Sequence, residues 1–498
     1  MAKDSGIKLR EDDYSQWYLD VIREGKLADY SPVKGCMVLR PHGFALWDSM
    51  KCDLDRRFKE TGHVNAYFPM FIPMSFLSKE AEHVEGFAKE CAVITHHRLR
   101  STTDENGKVS VEVDPHAKLE EPLIVRPTSE TIIWHMYGKW IDSHRDLPLL
   151  INQWANVVRW ELKTRPFLRT TEFLWQEGHT AHAYKDEAVE EAERMLHVYT
   201  DFARDFLAIP VVPGLKSAGE RFAGAVETYT IEAMMQNGWA LQSGTSHFLG
   251  QNFAKAFDVT FQSKEGKREL VWATSWGVST RLVGAVIMTH SDDVGLVLPP
   301  TMAPVQVVII PIWRKDHEKE VVIEFADKMN EQLKAAGIRV KVDDRDSIKP
   351  GAKYWEWERK GVCLRMEVGP RDVKGGSAFS KKRTGGDKFG IPLEGAAETV
   401  RGILNDMQAE LLAKATELRD SRTHRVDTYA EFKTQLKAQG GWYKVFWNDD
   451  AAAEDQIKTE TKATIRCYPI GEQELPEGAV CFYSGKPATH LAIFARAY

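Results

Sequence analysis

The chain has 498 residues, 43% hydrophobic and 28% charged, with a mean hydropathy of −0.38 and a net charge of −6. That length is too great for one core and predicts about two to four domains. No run approaches the ~18 apolar residues of a membrane span, residues 1–25 are too polar for a signal peptide, and six cysteines are too few for a disulfide framework, so no membrane association is expected and a reducing, cytoplasmic compartment is.

Residues 43–60 place Phe44, Trp47, Met50, Leu54 and Phe58 on one face of an amphipathic helix that Gly62 ends. Residues 66–71 read as a strand interrupted by Pro69. From 123 to about 300, short β-rich runs separate helices such as 186–206, which suits an α+β domain on an antiparallel sheet. Residues 295–300 end in consecutive prolines and mark a boundary. Beyond it, the apolar run 305–310 predicts a strand buried on both faces. Helix 315–336, strand 338–344, a helix around 354–360, strand 363–368 and a helix from about 395 complete an α/β domain. Residues 415–498 form a separate small module. The overall acidity argues weakly against nucleic acid, but residues 349–388 hold 11 Lys/Arg against 5 Asp/Glu, the local excess that phosphate contact requires.

Arg159-Trp160-Glu161, Arg169-Thr170-Thr171-Glu172-Phe173 and Gln176-Glu177-Gly178-His179 follow one another around a polar loop. Two guanidinium forks can hold phosphate oxygens and an aromatic ring can stack a base, so the segment suits a nucleotide cradle. On charge pattern alone, a hairpin with solvated charges stands as the alternative. Ser279-Thr280-Arg281 opens a small-residue apolar helix, where the arginine opposes the helix dipole and an anion such as a triphosphate would compensate it. In this order the blocks resemble motifs 2 and 3 of class II aminoacyl-tRNA synthetases, with residues 43–69 similar to motif 1. Arg126-Pro127-Thr128-Ser129-Glu130-Thr131 resembles the Thr-x-Glu loop of prolyl enzymes, and Gln242-Ser243-Gly244-Thr245-Ser246-His247 and residues 290–300 match further prolyl segments. The whole chain is similar to the prolyl-tRNA synthetases of eukaryotic and archaeal type.

The resemblance implies a class II α+β catalytic domain at 1–300, an α/β anticodon-binding domain at 301–414 and a small α+β, zinc-ribbon-like module at 415–498. It implies proline–tRNA ligase activity with L-proline, ATP, magnesium and tRNA(Pro), in a cytoplasmic homodimer formed through motif 1. Proline would meet Thr128, Glu130, Arg159, Trp175, Glu177, His179, Phe222 and His247. ATP would meet Arg159, Glu161, Arg169, Thr170, Phe173, Gln242, Thr245, Ser279 and Arg281, with Gln242 beside its magnesium and Arg159 and Arg281 the catalytic cations. The anticodon would meet Glu358, Arg365 and Asp372, and Lys381, Lys382 and Arg383 would hold backbone phosphate. The four zinc cysteines of related modules correspond here to Asn448, Ala453, Cys481 and Ser484, so no zinc is expected; Trp442, Tyr443, Phe446, Trp447, Phe482 and Phe494 would supply a core instead. About 100 residues separate Glu177 from Arg281, too few for the large editing insertion of bacterial-type enzymes. The terminal Tyr498 would tuck its carboxylate into the catalytic domain. A threonyl or histidyl enzyme, and a non-catalytic paralogue, are the rival readings; the Thr128/Glu130 loop opposes the first and the intact arginines the second.

Overall fold

The computed structural model describes residues 6–78 and 90–498. Its largest sheet has 11 strands. Third from one edge, Glu172–His182 pairs antiparallel with Leu149–Val158 on one side and Trp272–Ser279 on the other; Ala240–Gly250, Glu227–Met234 and Val212–Leu215 follow in turn, all antiparallel. The helices Pro41–Glu60, Lys185–Asp201 and Arg281–His290 bury apolar stripes in a shared core with Tyr229, Ile231, Trp276 and Val278 of the sheet. Close packing here depends on Gly178: a methyl at that position would lie 2.1 Å from the ring of Trp276, its partner across the ladder.

Four of the five apolar residues expected on the inner face of the Pro41–Glu60 helix are buried, but Phe44 is 44% exposed. Gly43 and Leu46 hold the inward positions, which turns Phe44 outward. The strand expected over 66–71 is instead two short pieces, Val64–Asn65 and Phe71–Pro73. Pro69 between them has no N–H to extend a ladder.

The second large sheet has five strands, ordered Val340–Val342, Val307–Pro311, Leu364–Val368, Ser377–Lys382 and Phe389–Pro392. The first three are parallel and the last two antiparallel. Val307–Pro311 and Leu364–Val368 are buried along their whole length, as a continuous apolar run should be. Helix Ala396–Ser421 runs straight through the division placed at 414/415.

The C-terminal module has its own core but is joined edge to edge to the catalytic sheet. Thr423–Arg425, Trp442–Trp447, His490–Arg496 and Ala463–Pro469 extend the largest sheet, because Ala463–Pro469 pairs with Val212–Leu215. Tyr443, Trp447, Phe482 and Phe494 do form an aromatic core there, with Cys481 and Ala453 buried among them, while Trp442 is buried in the seam with Met234, Ala240 and Cys467. Phe446 lies on the outer face under the Arg425 guanidinium, 4.0 Å from its ring centre. The chain end docks on the catalytic domain through its ring, hydroxyl and backbone: Tyr498 N donates to Ala240 O (3.1 Å), Asn237 Nδ2 donates to the Tyr498 hydroxyl (2.7 Å), and Arg165 sits 5.4 Å from the ring. Among the described residues no helix is long and apolar enough to cross a membrane.

The seam requires glycine at 214, where an added methyl would stand 2.5 Å from Cys467 Cβ. Gly214→Ala is expected to destabilise the protein by about 1–3 kcal/mol and to split off an early unfolding step of the C-terminal strands. Differential scanning calorimetry reads this directly; a single transition at the wild-type temperature would contradict the seam.

Candidate active site

Alternate residues of a strand share one side, so Glu172–His182 presents Phe173, Trp175, Glu177 and His179 together, and all four line a cleft of about 260 Å³. Thr128 and Glu130 reach it from the start of the Glu130–Trp140 helix, where the Thr128 hydroxyl donates to the Glu130 carboxylate. Ser129 Oγ and Gln153 Nε2 both donate to Glu177 Oε1, and His179 Nε2 lies 3.0 Å from Glu177 Oε2. Burial opposes charge on either group, yet their mutual bond prevails, holding the Glu177 carboxyl below its ordinary pKa and lifting that of His179. Gln242, Thr245 and His247 enter from Ala240–Gly250, and Phe222 lays its ring 4.7 Å from that of His247.

Arg159 stands where this cleft meets a second, of about 240 Å³. Its Nε donates to Pro127 O (2.9 Å), and its guanidinium lies 5.6 Å from the Phe173 ring and 5.5 Å from that of Trp175. Glu161, Arg169, Thr170, Ser279 and Arg281 line the second cleft. Arg281 Nε donates to Leu168 O (3.1 Å) and Nη1 to Gln242 O (3.5 Å). Burial, and then the charges of Arg169 and Arg159, push the Arg281 pKa down to about 10. Arg169 is half-exposed and sits 3.3 Å from Glu161. Three guanidinium groups gathered around one hollow make a receptor for a polyanion.

Every residue placed by the sequence around proline or ATP lines one of these two contiguous clefts. Sequence reasoning missed Ser275 and Gly277 on the cleft floor. Small residues alternating at 275, 277 and 279 just ahead of Arg281 were the available signal. It also missed Ser129 and Gln153, whose partner Glu177 lies 48 and 24 residues away. Trp175 Nε1, His179 Nδ1 and Ser275 Oγ are buried without a hydrogen-bond partner among the described residues, groups that a polar ligand would satisfy.

The anticodon candidates divide. Glu358, Arg365, Lys381 and Lys382 surround one shallow hollow, where Arg365 lies 3.3 Å from Glu358, 3.2 Å from Glu367 and 4.1 Å from the Tyr354 ring centre. Arg383 also borders the hollow, but its guanidinium is turned inward: it forks onto Asp292 at 2.8 and 2.6 Å and donates to Leu296, Gly295 and Glu358 carbonyls. Its donors clamp two domains together, so it is not free to hold backbone phosphate. Asp372 lies outside the hollow and accepts from Gly369 N (2.8 Å) at a helix start. Much of the basic excess of 349–388 is likewise neutralised within the fold, by pairs such as Arg359–Glu24 (2.7 Å) and Lys388–Glu367 (3.0 Å). Among the described residues no group of three or more His, Cys, Asp or Glu could hold a metal.

Burial and then His179 push the His247 pKa from 6.5 to about 3. The unfolded chain therefore binds a proton there below pH 6.5 that the folded chain refuses, and stability rises with pH through that window. His179, with its pKa raised, contributes the opposite slope at higher pH. His247→Gln is expected to flatten the fall in melting temperature between about pH 7 and 5; an unchanged slope would contradict this.

The profile described as the tRNA synthetase class II core domain (G, H, P, S and T) matches residues 111–290, that of the anticodon binding domain residues 306–403, and that of the prolyl-tRNA synthetase C-terminal domain residues 429–498. A proline–tRNA ligase of Porphyromonas gingivalis is 58% identical over 499 residues, covering 100% of both chains, and one of Cytophaga hutchinsonii is 56% identical over 492 residues, covering 99% of each. The crystal structure of a Cryptosporidium parvum prolyl-tRNA synthetase complexed with halofuginone and AMPPNP superimposes with a TM-score of 0.92 at 40% identity over 100% of both chains. With an antiparallel class II core, an anticodon-binding domain and these full-length likenesses, the chain belongs to the proline–tRNA ligase family of class II aminoacyl-tRNA synthetases.

Proposed function

We propose that the larger cleft holds L-proline and the adjoining one the triphosphate of ATP, with Arg159 bridging them. The activity of the family is ATP-dependent ligation of L-proline to tRNA(Pro). In the first step a proline carboxylate oxygen attacks the α-phosphorus, forming prolyl-adenylate as pyrophosphate leaves. In the second, a ribose hydroxyl of the terminal adenosine of tRNA attacks the prolyl carbonyl and AMP departs. Neither step needs a nucleophilic side chain, so catalysis rests on positioning and charge stabilisation.

Thr128 and Glu130 would accept the two N–H bonds of proline's secondary ammonium, Arg159 would hold its carboxylate against the α-phosphate, and Trp175, Phe222 and His247 would wall its ring. Glu177 and His179 would set the charge of the pocket floor. Arg169 and Arg281 would hold the outer phosphates, Phe173 and Arg281 would sandwich the adenine, and Thr170, Thr245 and Ser279 would meet the nucleotide. Magnesium arriving with ATP would neutralise phosphate charge, and Gln242 and Glu161 offer the oxygen donors it takes. The observation that carries this reading is the meeting of both clefts at one half-buried arginine, faced by carboxylates on one side and by Arg169 and Arg281 on the other. Arg159→Ala should lower proline-dependent ATP–pyrophosphate exchange about 10²–10³-fold while circular dichroism stays unchanged. Near wild-type exchange, or exchange driven by threonine, would remove the assignment.

We further propose that Glu358 and Arg365 read anticodon bases on the five-stranded sheet, that Asp372 contributes from the adjoining helix start, and that Lys381 and Lys382 meet the backbone. Replacing Glu358 and Asp372 together should weaken aminoacylation while exchange without tRNA stays near wild type. Equal losses in both assays would place the two residues elsewhere.

A cytoplasmic homodimer completes the reading. The apolar stripe of the Pro41–Glu60 helix gives it no support, since that stripe is buried in the chain's own core. Support comes from Phe44, Val64, Tyr67, Phe71 and Met74, large apolar residues left exposed along one stretch of chain. Among the described residues Cys36, Cys52, Cys363, Cys467 and Cys481 form no disulfide, as a reducing compartment allows. Light scattering at micromolar concentration should return twice the chain mass; the mass of one chain would contradict the dimer.

A further inference from the structure

A buried ion cluster joins the C-terminal strands to the catalytic sheet. Glu232 is completely buried, and its Oε1 accepts from Lys216 Nζ (2.8 Å) and Thr230 Oγ1 (3.0 Å). Its Oε2 accepts from Arg466 Nε (3.1 Å) and Nη2 (3.0 Å), a residue 234 positions later in the chain. Lys216 Nζ also donates to Arg466 O (2.9 Å), so the three form a closed unit. Both carboxylate oxygens are thereby engaged.

Glu232 lies on the face of its strand shared by Thr228, which lines the proline cleft, and it is the register partner of Gln242. Gln242 O is the carbonyl that accepts from Arg281 Nη1 (3.5 Å). The Glu232 carboxylate is thus a counter-charge one residue behind an arginine of the triphosphate cleft. Its charge supports the protonated form of Arg281, and that of Arg466 opposes it.

We propose that Arg466 is a positioning residue for ATP: it holds Glu232 back, so that the carboxylate stabilises Arg281 from behind without pairing with it. Without Arg466, Lys216 and Thr230 still hold Oε1, but Oε2 loses both of its N–H donors. A buried carboxylate oxygen so stripped must find another donor, and the guanidinium on the far side of its register partner Gln242 is that of Arg281. Freed, Glu232 would compete with the triphosphate for the same fork. ATP binding is in this way made conditional on the C-terminal strands being seated on the sheet edge.

The inference rests on Arg281 belonging to the ATP site, and Arg281→Ala tests that reading separately by its own rise in the KM for ATP. Arg466→Gln should raise the KM for ATP in proline-dependent exchange at least about tenfold while the KM for proline stays within about twofold. Adding Glu232→Gln removes the competing charge, and the double variant should recover an ATP KM within about threefold of wild type even if its melting temperature stays lowered. A merely structural role predicts that the ATP KM follows melting temperature across the series, and that result would overturn the proposal, as would an unchanged ATP KM in Arg466→Gln. If Arg466→Gln does not fold, Arg466→Lys keeps the charge but loses the fork; an ATP KM raised several-fold with proline KM steady supports the proposal, and wild-type values for both overturn it.

Discussion

Holding like charges together out of water is the constraint on which this structure turns. Arg159 and Arg281 are half-buried where the two clefts meet, and Arg169 stands beside them at the mouth of the cleft. Moving a cation from water into a protein is unfavourable by several kcal/mol unless partners compensate. The chain supplies those partners from behind: Glu130 and Glu177 raise the Arg159 pKa against its burial, Glu161 meets Arg169, and Glu232 supports Arg281. The front of the cluster is left to a polyanion, which favours binding of one that is already positioned for reaction at phosphorus.

This arrangement needs a rigid frame, and the antiparallel sheet provides it. Side chains two residues apart on one strand keep fixed spacing and direction, so Phe173, Trp175, Glu177 and His179 cannot move independently. The Trp276 ring laid across Gly178 braces the same strand from its other face. The sheet also carries distant segments to the site. Arg466 reaches Glu232 behind Arg281, and the Tyr498 ring reaches Arg165 on the loop that bears Arg169, so the last strands of the chain contact residues that adjoin the cation cluster.

How much of this the sequence disclosed depended on the range of the interactions involved. The Pro41–Glu60 helix and the buried strand Val307–Pro311 announce themselves by local periodicity. The cleft residues were legible because each motif is short and contiguous, and alternation along a strand delivers its members to one side. What stayed hidden has partners far away in the chain. Arg383 reads as part of a basic turn until Asp292, 91 residues earlier, takes its guanidinium. The attachment of the C-terminal module to the catalytic sheet stayed hidden, because its pairing with Val212–Leu215 spans about half the chain and leaves no periodic mark. Pro69 and Phe44 failed for local reasons, a missing N–H and a helix face displaced by Gly43.

If the three arginines form an unfinished site, an anionic nucleotide completes it. A non-hydrolysable ATP analogue added at about one hundred times its Kd should stabilise the folded protein by about 2.7 kcal/mol, seen as a rise in melting temperature. That rise should be larger at low salt than at high salt and absent in Arg281→Ala. A melting temperature indifferent to the nucleotide, or a rise of equal size in the variant, would mean that the cluster is satisfied by the protein alone.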